Sequence, residues 1–351
     1  MSTEREENLR MLRDSVAAVA PRGGDLKRIR ALRFGVPGFD PAVWRQMCEM
    51  GWLGLRVPEA DGGAGLGMAE FCAIAEELAA GLAPEPLIAC ACSARVLPPE
   101  NLPDLLSGDH VVIPAWQERA DTVEPGDDTT FADGRVTGRK VFVPMAAGAD
   151  VFLMAVRGGL ALVRADAPGL HLATATTQDG GHYGTLTLTN APGQFVAGDL
   201  SDGLEEATLL TAASLLGVME RSFELTLDYL RTRKQFGRPI GSFQALQHRA
   251  ADLKLQCALT RASIESAAAV LDAGAPLPQR QAAVSRAKAR AATAALTVTR
   301  EAIQMHGGIG YTDEYDVGLY LRRAMVLANA FGSARLHRAR YSAVAPEQVE
   351  E

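Results

Sequence analysis

The chain has no excess of positive charge, no long apolar run and few cysteines, and each shortage removes a class of function. Of its 351 residues, 35 are Lys or Arg and 42 are Asp or Glu, a formal net charge of −7. That balance does not favour a nucleic-acid partner, although local basic clusters can still hold phosphates. No apolar stretch approaches the roughly 20 residues that cross a bilayer, so no membrane span is expected. Residues 1–15 carry Glu4, Arg5, Glu6, Glu7 and Arg10 and lack the apolar centre of a signal peptide. The five cysteines are Cys48, Cys72, Cys90, Cys92 and Cys257. No pair has a metal-ligand spacing beyond Cys90-x-Cys92, and that pair lies in an Ala-rich apolar run. Buried thiols and no metal site are therefore expected. Unpaired thiols point to a reducing compartment, the cytoplasm.

What is present reads as a globular enzyme, with 48% hydrophobic and 22% charged residues. The pattern along the chain predicts an α+β multidomain fold: an N-terminal helical domain (1–108), a middle antiparallel β domain (109–202) and a C-terminal four-helix bundle (203–351). In the first, a turn of helix from Ser15 to Ala20 ends at Pro21. Asp40 caps a helix opened by Pro41, and Trp44, Met47, Cys48 and Met50 give it helical periodicity. Met68 to Ala80 is a helix stopped by Gly81. Gly62-Gly63-Ala64-Gly65-Leu66-Gly67 has no strand-helix-strand context and reads as a flexible inter-helix loop, not a dinucleotide loop. In the middle segment Val111–Ile113, Val136-Thr137, Val141–Val143, Val151–Val156, Leu160–Val163 and Thr185–Leu188 are short β-rich runs. The last segment has four helical stretches near Leu204–Arg233, Ser242–Ala273, Gln279–Met305 and Tyr315–Ala343. Ser242 is expected to cap the second, Gly274 to end it, and Asp313-Glu314 to cap the fourth.

Two short motifs carry chemistry. Arg233 and Phe236 stand at the end of a long helix beside Arg231, Lys234 and Arg238. Pyrophosphate needs positive charge and forked donors, which Arg supplies, and Phe236 can cover a planar ring. A solvated basic helix end is the structural alternative. Gln304, Gly307 and Gly308 follow another long helix. Adjacent glycines let a backbone approach a ligand and expose amides to it, and a Gln amide can read both edges of an adenine. A plain helix terminus is the alternative there. His248 and His306 lie beside these motifs without a carboxylate or cysteine partner at nucleophile or metal spacing, so structural or surface roles are expected.

In combination these residues resemble the acyl-CoA dehydrogenase family over nearly the whole chain. Arg231-Thr-Arg233-Lys-Gln-Phe236-Gly237 through Gln244, and Gln304-Met-His-Gly307-Gly308-Ile-Gly310-Tyr311, are similar to its C-terminal bundle. Trp52 to Glu59 with Gly62-Gly63, and Ala75-Glu76-Glu77-Leu78, resemble its N-terminal domain. Gly134 to Val143 resembles its middle domain. The resemblance implies FAD bound at a subunit interface by Arg233, Phe236, Gln244, Gln304, Gly307 and Gly308. It implies an acyl-CoA substrate oxidised between its α and β carbons, in lipid β-oxidation, and an electron-transfer acceptor. In such enzymes a carboxylate takes the α proton while hydride leaves to the flavin.

The sequence departs from the family at the base. The usual Glu falls on Phe331, within Asn329-Ala330-Phe331-Gly332-Ser333. Members that place the base on the first bundle helix put it at Ala207, with Glu206 one residue and about 100° away. The middle-domain loop that touches the flavin ring appears as Gln117-Glu118-Arg119. Phe142-Val143-Pro144 replaces a hydroxyl-bearing run, and Pro144 has no backbone N–H. By the resemblance, the lost elements serve a subunit's own flavin and the retained ones reach a neighbour's. This is the pattern expected of the non-base-bearing partner in a heteromeric α2β2 enzyme, acting on a bulky, steroid-like thioester. Alternatives are a homomeric dehydrogenase using Glu206, a flavin-free scaffold, or a monooxygenase or nitroalkane-type oxidase.

Overall fold

The structure, a computed structural model, describes residues 3–345. The sequence of Glu347 to Glu351 suggests a frayed tail, and that stretch lies outside the described residues. Two compact units divide the chain, one comprising residues up to Leu26, Cys72–Ala83 and Thr208 onward, the other Lys27–Phe71 and Pro84–Ala207. In chain order the early helices are α1 (Thr3–Val16), α2 (Lys27–Leu32), α3 (Pro41–Glu49), α4 (Met68–Ala80), α5 (Leu87–Val96) and α6 (Pro103–Leu106). The first begins well before the expected turn and ends at Val16, so of the expected Ser15–Ala20 turn only Ser15 and Val16 are helical. The Asp40 cap forms as expected, its carboxylate accepting from the Ala42 N–H at 2.9 Å.

The glycine segment after Pro58 is not a loose loop. Its backbone folds against Gly54–Val57, with Ala64 donating to Gly54 O (3.0 Å), Gly65 to Val57 O (2.9 Å) and Leu66 to Leu55 O (2.8 Å). A Cβ on Gly63 would collide with the Val57 carbonyl, which explains the residue type there.

The second unit also holds two four-stranded sheets. The strands are β1 (Val112–Ala115), β2 (Thr130–Ala132), β3 (Arg135–Pro144), β4 (Val151–Val156), β5 (Gly159–Arg164), β6 (Leu170–Thr176), β7 (His182–Pro192) and β8 (Gln194–Val196). They are ordered β1-β4-β5-β8 and β2-β3-β7-β6. All pairs are antiparallel except β1 with β4, which is parallel. The expected all-antiparallel sheet fails there because the chain reaches β4 only after crossing through β2 and β3 of the other sheet. Such a crossover returns a strand in its original direction. Val136-Thr137 and Val141–Val143 belong to one strand, β3, bulged between Lys140 and Val143.

α7 (Ser201–Thr232), which enters the first unit at Thr208, leads to a hairpin of β9 (Lys234–Gln235) and β10 (Arg238–Pro239). α8 (Gln244–Asp272), α9 (Leu277–His306), α10 (Val317–Leu327) and α11 (Ala334–Val344) follow. Helices α8, α10 and α11 all pack on α9, whose inner face is lined by Ala287, Ala291, Ala294, Ala295, Val298 and Ala302, each fully buried or nearly so. Small residues let three helices approach one. The middle of α7 crosses α4 so closely that a Cβ on Gly217 would strike the Glu76 carbonyl. Arg261 on α8 spans the same crossing, bonding Glu76 at 2.6 Å and Glu220 at 2.8 Å.

Three boundaries differ from expectation. Ser242 is not the cap of α8. Its hydroxyl turns back to Pro239 O at 2.7 Å, and Phe243 occupies the cap position. Asp313 bonds Arg322 at 2.6 Å and does not cap α10, which begins after Asp316. The fourth expected helix is broken into α10 and α11 around Phe331.

Candidate functional site

Arg233 follows the last residue of α7 and keeps its helical bond, its N–H donating to Tyr229 O at 2.8 Å. The chain then turns through a two-residue hairpin in which Gln235 pairs with Arg238 and Lys234 with Pro239. Phe236 and Gly237 take φ of 52° and 78° at its tip. Two consecutive left-handed residues make the mirror-image turn that matches strand twist. Such a φ is unusual for a bulky aromatic, and it leaves Phe236 90% exposed. The ring meets Phe243 edge-on at 6.2 Å, and the Arg238 guanidinium lies 4.2 Å above the Phe243 ring. Arg231 is paired with Asp228. Arg233 has no side-chain partner given by the described residues and is exposed.

Gln244 opens α8, and its side chain is exposed. One and a half turns on, Arg249 pairs with Glu301 of α9. Gln304 is exposed one turn beyond Glu301. α9 ends at Gly307, whose φ of 67° and ψ of −143° only glycine adopts without strain. A Cβ on Gly307 or Gly308 would meet nothing within 4 Å, so the backbone there faces open space. All six predicted binding residues thus lie at one end of the bundle, where α7 ends, α8 begins and α9 ends.

His306 joins these segments. Its ring is buried, stacks on Tyr229 at 4.5 Å and lies 5.0 Å from Tyr315. His248, by contrast, is exposed.

Phe331 sits in the break between α10 and α11 with φ of 53°, followed by Gly332 at 105°. The loop is held from inside. Lys288, on α9 and fully buried, donates to Ala328 O at 3.1 Å and Gly332 O at 2.9 Å. His337 Nε2 donates to Phe331 O at 2.8 Å, and its Nδ1 lies 3.3 Å from Ser285 Oγ. Burial pushes Lys288 down to about 7. Burial, with the charges of Lys288 and Arg340, pushes His337 down to about 3. Sequence reasoning missed Lys288 and His337. A lone Lys in an Ala-rich helix and a lone His carry no signal until the loop they grip is seen.

In the other unit Glu206 is buried. Its Oε1 accepts from Arg56 at 3.0 Å and from Arg95 at 2.9 Å. Ala207 beside it is fully buried. The Gln117-Glu118-Arg119 loop is closed on its own sheet. Glu118 Oε1 accepts from the buried Lys140 at 2.6 Å and from the Thr129 hydroxyl at 2.6 Å. Burial opposes the Glu118 charge, but the Lys140 and Thr129 hydrogen bonds override it and hold the carboxyl near 2. Phe142, at the β3 bulge, has φ of 55° and stands edge-on to Tyr183. All five cysteines are buried and none is in a disulfide, in keeping with the expected buried thiols. Among the described residues no group of His, Cys, Asp and Glu could hold a metal ion, and no helix is long and apolar enough to cross a membrane.

The family model for the acyl-CoA dehydrogenase C-terminal domain matches residues 200–344, and that for the N-terminal domain matches residues 6–98. The acyl-CoA dehydrogenase IpdE2 of Mycolicibacterium smegmatis is 34% identical over 95% of this chain and 96% of its own. The chain belongs to the acyl-CoA dehydrogenase family. Among solved structures, a variant of the Tcur3481-Tcur3483 steroid ACAD superposes with a TM-score of 0.88 at 30% identity, covering 97% of this chain and 98% of that one. The ChsE4-ChsE5 complex from Mycobacterium tuberculosis superposes at 0.84 with 28% identity, covering 100% and 99%. The family makes the chain an oxidoreductase by kinship, and its order of helices, sheets and helices is the family's own.

Proposed function

We propose that this chain is the base-lacking subunit of a heteromeric, FAD-dependent acyl-CoA dehydrogenase acting on a bulky, steroid-like CoA thioester. The observation that carries the reading is Phe331. The family's base position holds a hydrocarbon ring, while its loop is fully built and gripped by Lys288 and His337. A ring cannot take an α proton. Glu206 does not replace it, because its carboxylate is committed to Arg56 and Arg95, and accepting a proton would weaken both charge-assisted bonds.

The residues at the bundle end fit a flavin dinucleotide. Arg233 offers a forked cation, Phe236 an exposed ring, and Gly307-Gly308 a backbone with open space before it. FAD, when bound, supplies the hydride acceptor. This chain's part is to bind and orient: Arg233 neutralises pyrophosphate, Gln304 reads the adenine edge, and Phe236 covers the ring from water. The middle β domain lacks matching provision, since Glu118 is spent on Lys140 and Pro144 has no N–H. The flavin served is therefore that of a second, base-bearing subunit, and electrons pass on to a separate acceptor. The two-name assemblies among the similar structures support a partner chain, and the steroid enzyme among them supports the substrate class.

Arg233→Ala tests the reading. The assembled enzyme should lose most of its flavin while the chain keeps its helical signal and melting temperature. Unchanged flavin content would remove Arg233 from the site.

A further inference from the structure

The two halves of the proposed flavin site come from helices that end far apart in sequence, and an aromatic cluster lies between those ends. Tyr229 lies one turn before the end of α7, and its carbonyl receives the Arg233 N–H at 2.8 Å. His306 is the last residue of α9, between Gln304 and Gly307. Their rings stack at 4.5 Å with an interplanar angle of 28°. Tyr315 closes the group, 5.0 Å from His306 and 6.2 Å from Tyr229. It rests in turn on the core of Ala302, Ile303 and Val317.

The imidazole is fixed more firmly than packing alone requires. Nδ1 lies 2.7 Å from the Ala302 carbonyl. A carbonyl only accepts, so Nδ1 carries the hydrogen and Nε2 is a bare acceptor. That Nε2 is buried without a hydrogen-bond partner among the described residues. Burial holds the ring in its neutral form, against the opposing pull of the Ala302 bond. A buried polar atom left unpaired costs free energy, and an apolar residue would avoid that cost. The ring presents a flat face to Tyr229 there, which an aliphatic side chain would not.

We propose that Tyr229, His306 and Tyr315 form an aromatic clasp that positions the Gln304–Gly308 turn against the Arg233–Phe236 hairpin, so that one dinucleotide can engage both. This rests on the flavin-site reading above. His306 and Tyr229 are positioning residues and need not touch the ligand. Loosening the clasp leaves each half intact but separates them, and binding energy from two halves held in register is lost when their geometry is not preorganised.

The test uses the assembled, flavin-loaded enzyme and measures FAD and ADP affinity alongside thermal melting. Tyr229→Phe keeps the ring and should bind FAD like the wild type. Tyr229→Leu and His306→Gln remove one face of the stack, and Gln keeps an N–H donor. Each should weaken FAD and ADP by the same factor, about tenfold, as the two halves lose their register. Melting should fall by no more than the few degrees that one aromatic pair is worth. If Tyr229→Leu does not fold, the contrast between Tyr229→Phe and His306→Gln decides. Wild-type affinity in His306→Gln, with Arg233→Ala losing flavin, would overturn the clasp and leave the flavin site standing. Wild-type affinity in Arg233→Ala as well would overturn the flavin-site reading and the clasp with it.

Discussion

Lys288 offers a quantitative check on how the Phe331 loop is held. Its ammonium has two backbone carbonyls as partners, Ala328 and Gly332, and sits in a fully buried position. Burial lowers it from 10.5 to about 7. In the unfolded chain the same group keeps its ordinary value. Between pH 7 and 10.5 the unfolded state therefore binds a proton that the folded state does not. Stability from this group rises with pH through that window, by about 1.4 kcal/mol per pH unit. Below pH 7 the whole penalty applies, on the order of 5 kcal/mol. Lys288→Met removes the titration and leaves two carbonyls unpaired, a pH-independent cost of about 1–3 kcal/mol each. Urea unfolding of wild type and variant at pH 7, 8 and 9 isolates the effect, because groups that Lys288 does not influence cancel in the difference and His337, which it does, titrates below this window. The wild type should gain roughly 2 kcal/mol on the variant from pH 7 to 9, the slope being reduced near pH 7 where the folded group is half protonated. A flat difference would show that Lys288 is charged in the folded protein, and the reasoning from burial would be wrong.

Other substitutions probe the frame and the base. Gly217→Ala places a methyl against the Glu76 carbonyl, backbone against backbone, and should cost roughly 3 kcal/mol or more in thermal or urea unfolding. Tyr320→Phe removes the hydroxyl that donates to Ala80 O at 2.9 Å and should cost about 1–2 kcal/mol in the same assay. Glu206→Gln should lower stability by about 1–3 kcal/mol, by breaking its pairs with Arg56 and Arg95, without abolishing turnover of the assembled enzyme. A thousandfold fall in turnover with normal folding would instead make Glu206 the base.

The parts of the site that are contiguous in sequence were legible there. Arg233 to Gly237 and Gln304 to Gly308 each place their residues within a turn, so the pattern survives without knowledge of the fold. Phe331 was legible as a substitution within such a pattern. What escaped notice is set by contacts across the chain. Tyr229 meets His306 only because α7 and α9 end side by side, and Lys288 reaches Gly332 only because α11 packs on α9. Phe236 was read at a helix end, and no propensity rule favours a left-handed Phe at a hairpin tip. The helix break at Phe331 was missed although Gly332-Ser333 carries a local signal for it: Gly332 has φ of 105° and the Ser333 hydroxyl caps α11, accepting from the Leu336 N–H at 3.4 Å, while Lys288 and His337 hold the loop from inside. Strands β2 and β8 have three residues each, too few for an alternation to register. The parallel β1–β4 pair follows from a crossover that no local pattern shows.

The central claim is that this chain serves a flavin carried mainly by another subunit. Flavin content per chain, measured by absorbance after gel filtration, tests it most directly, on the protein expressed alone and with a base-bearing homologue. No flavin is expected on the chain alone, and about one flavin per two chains in a mixed tetramer, because each flavin site then needs residues from both partners. One flavin per chain in an assembly of this chain only would contradict it.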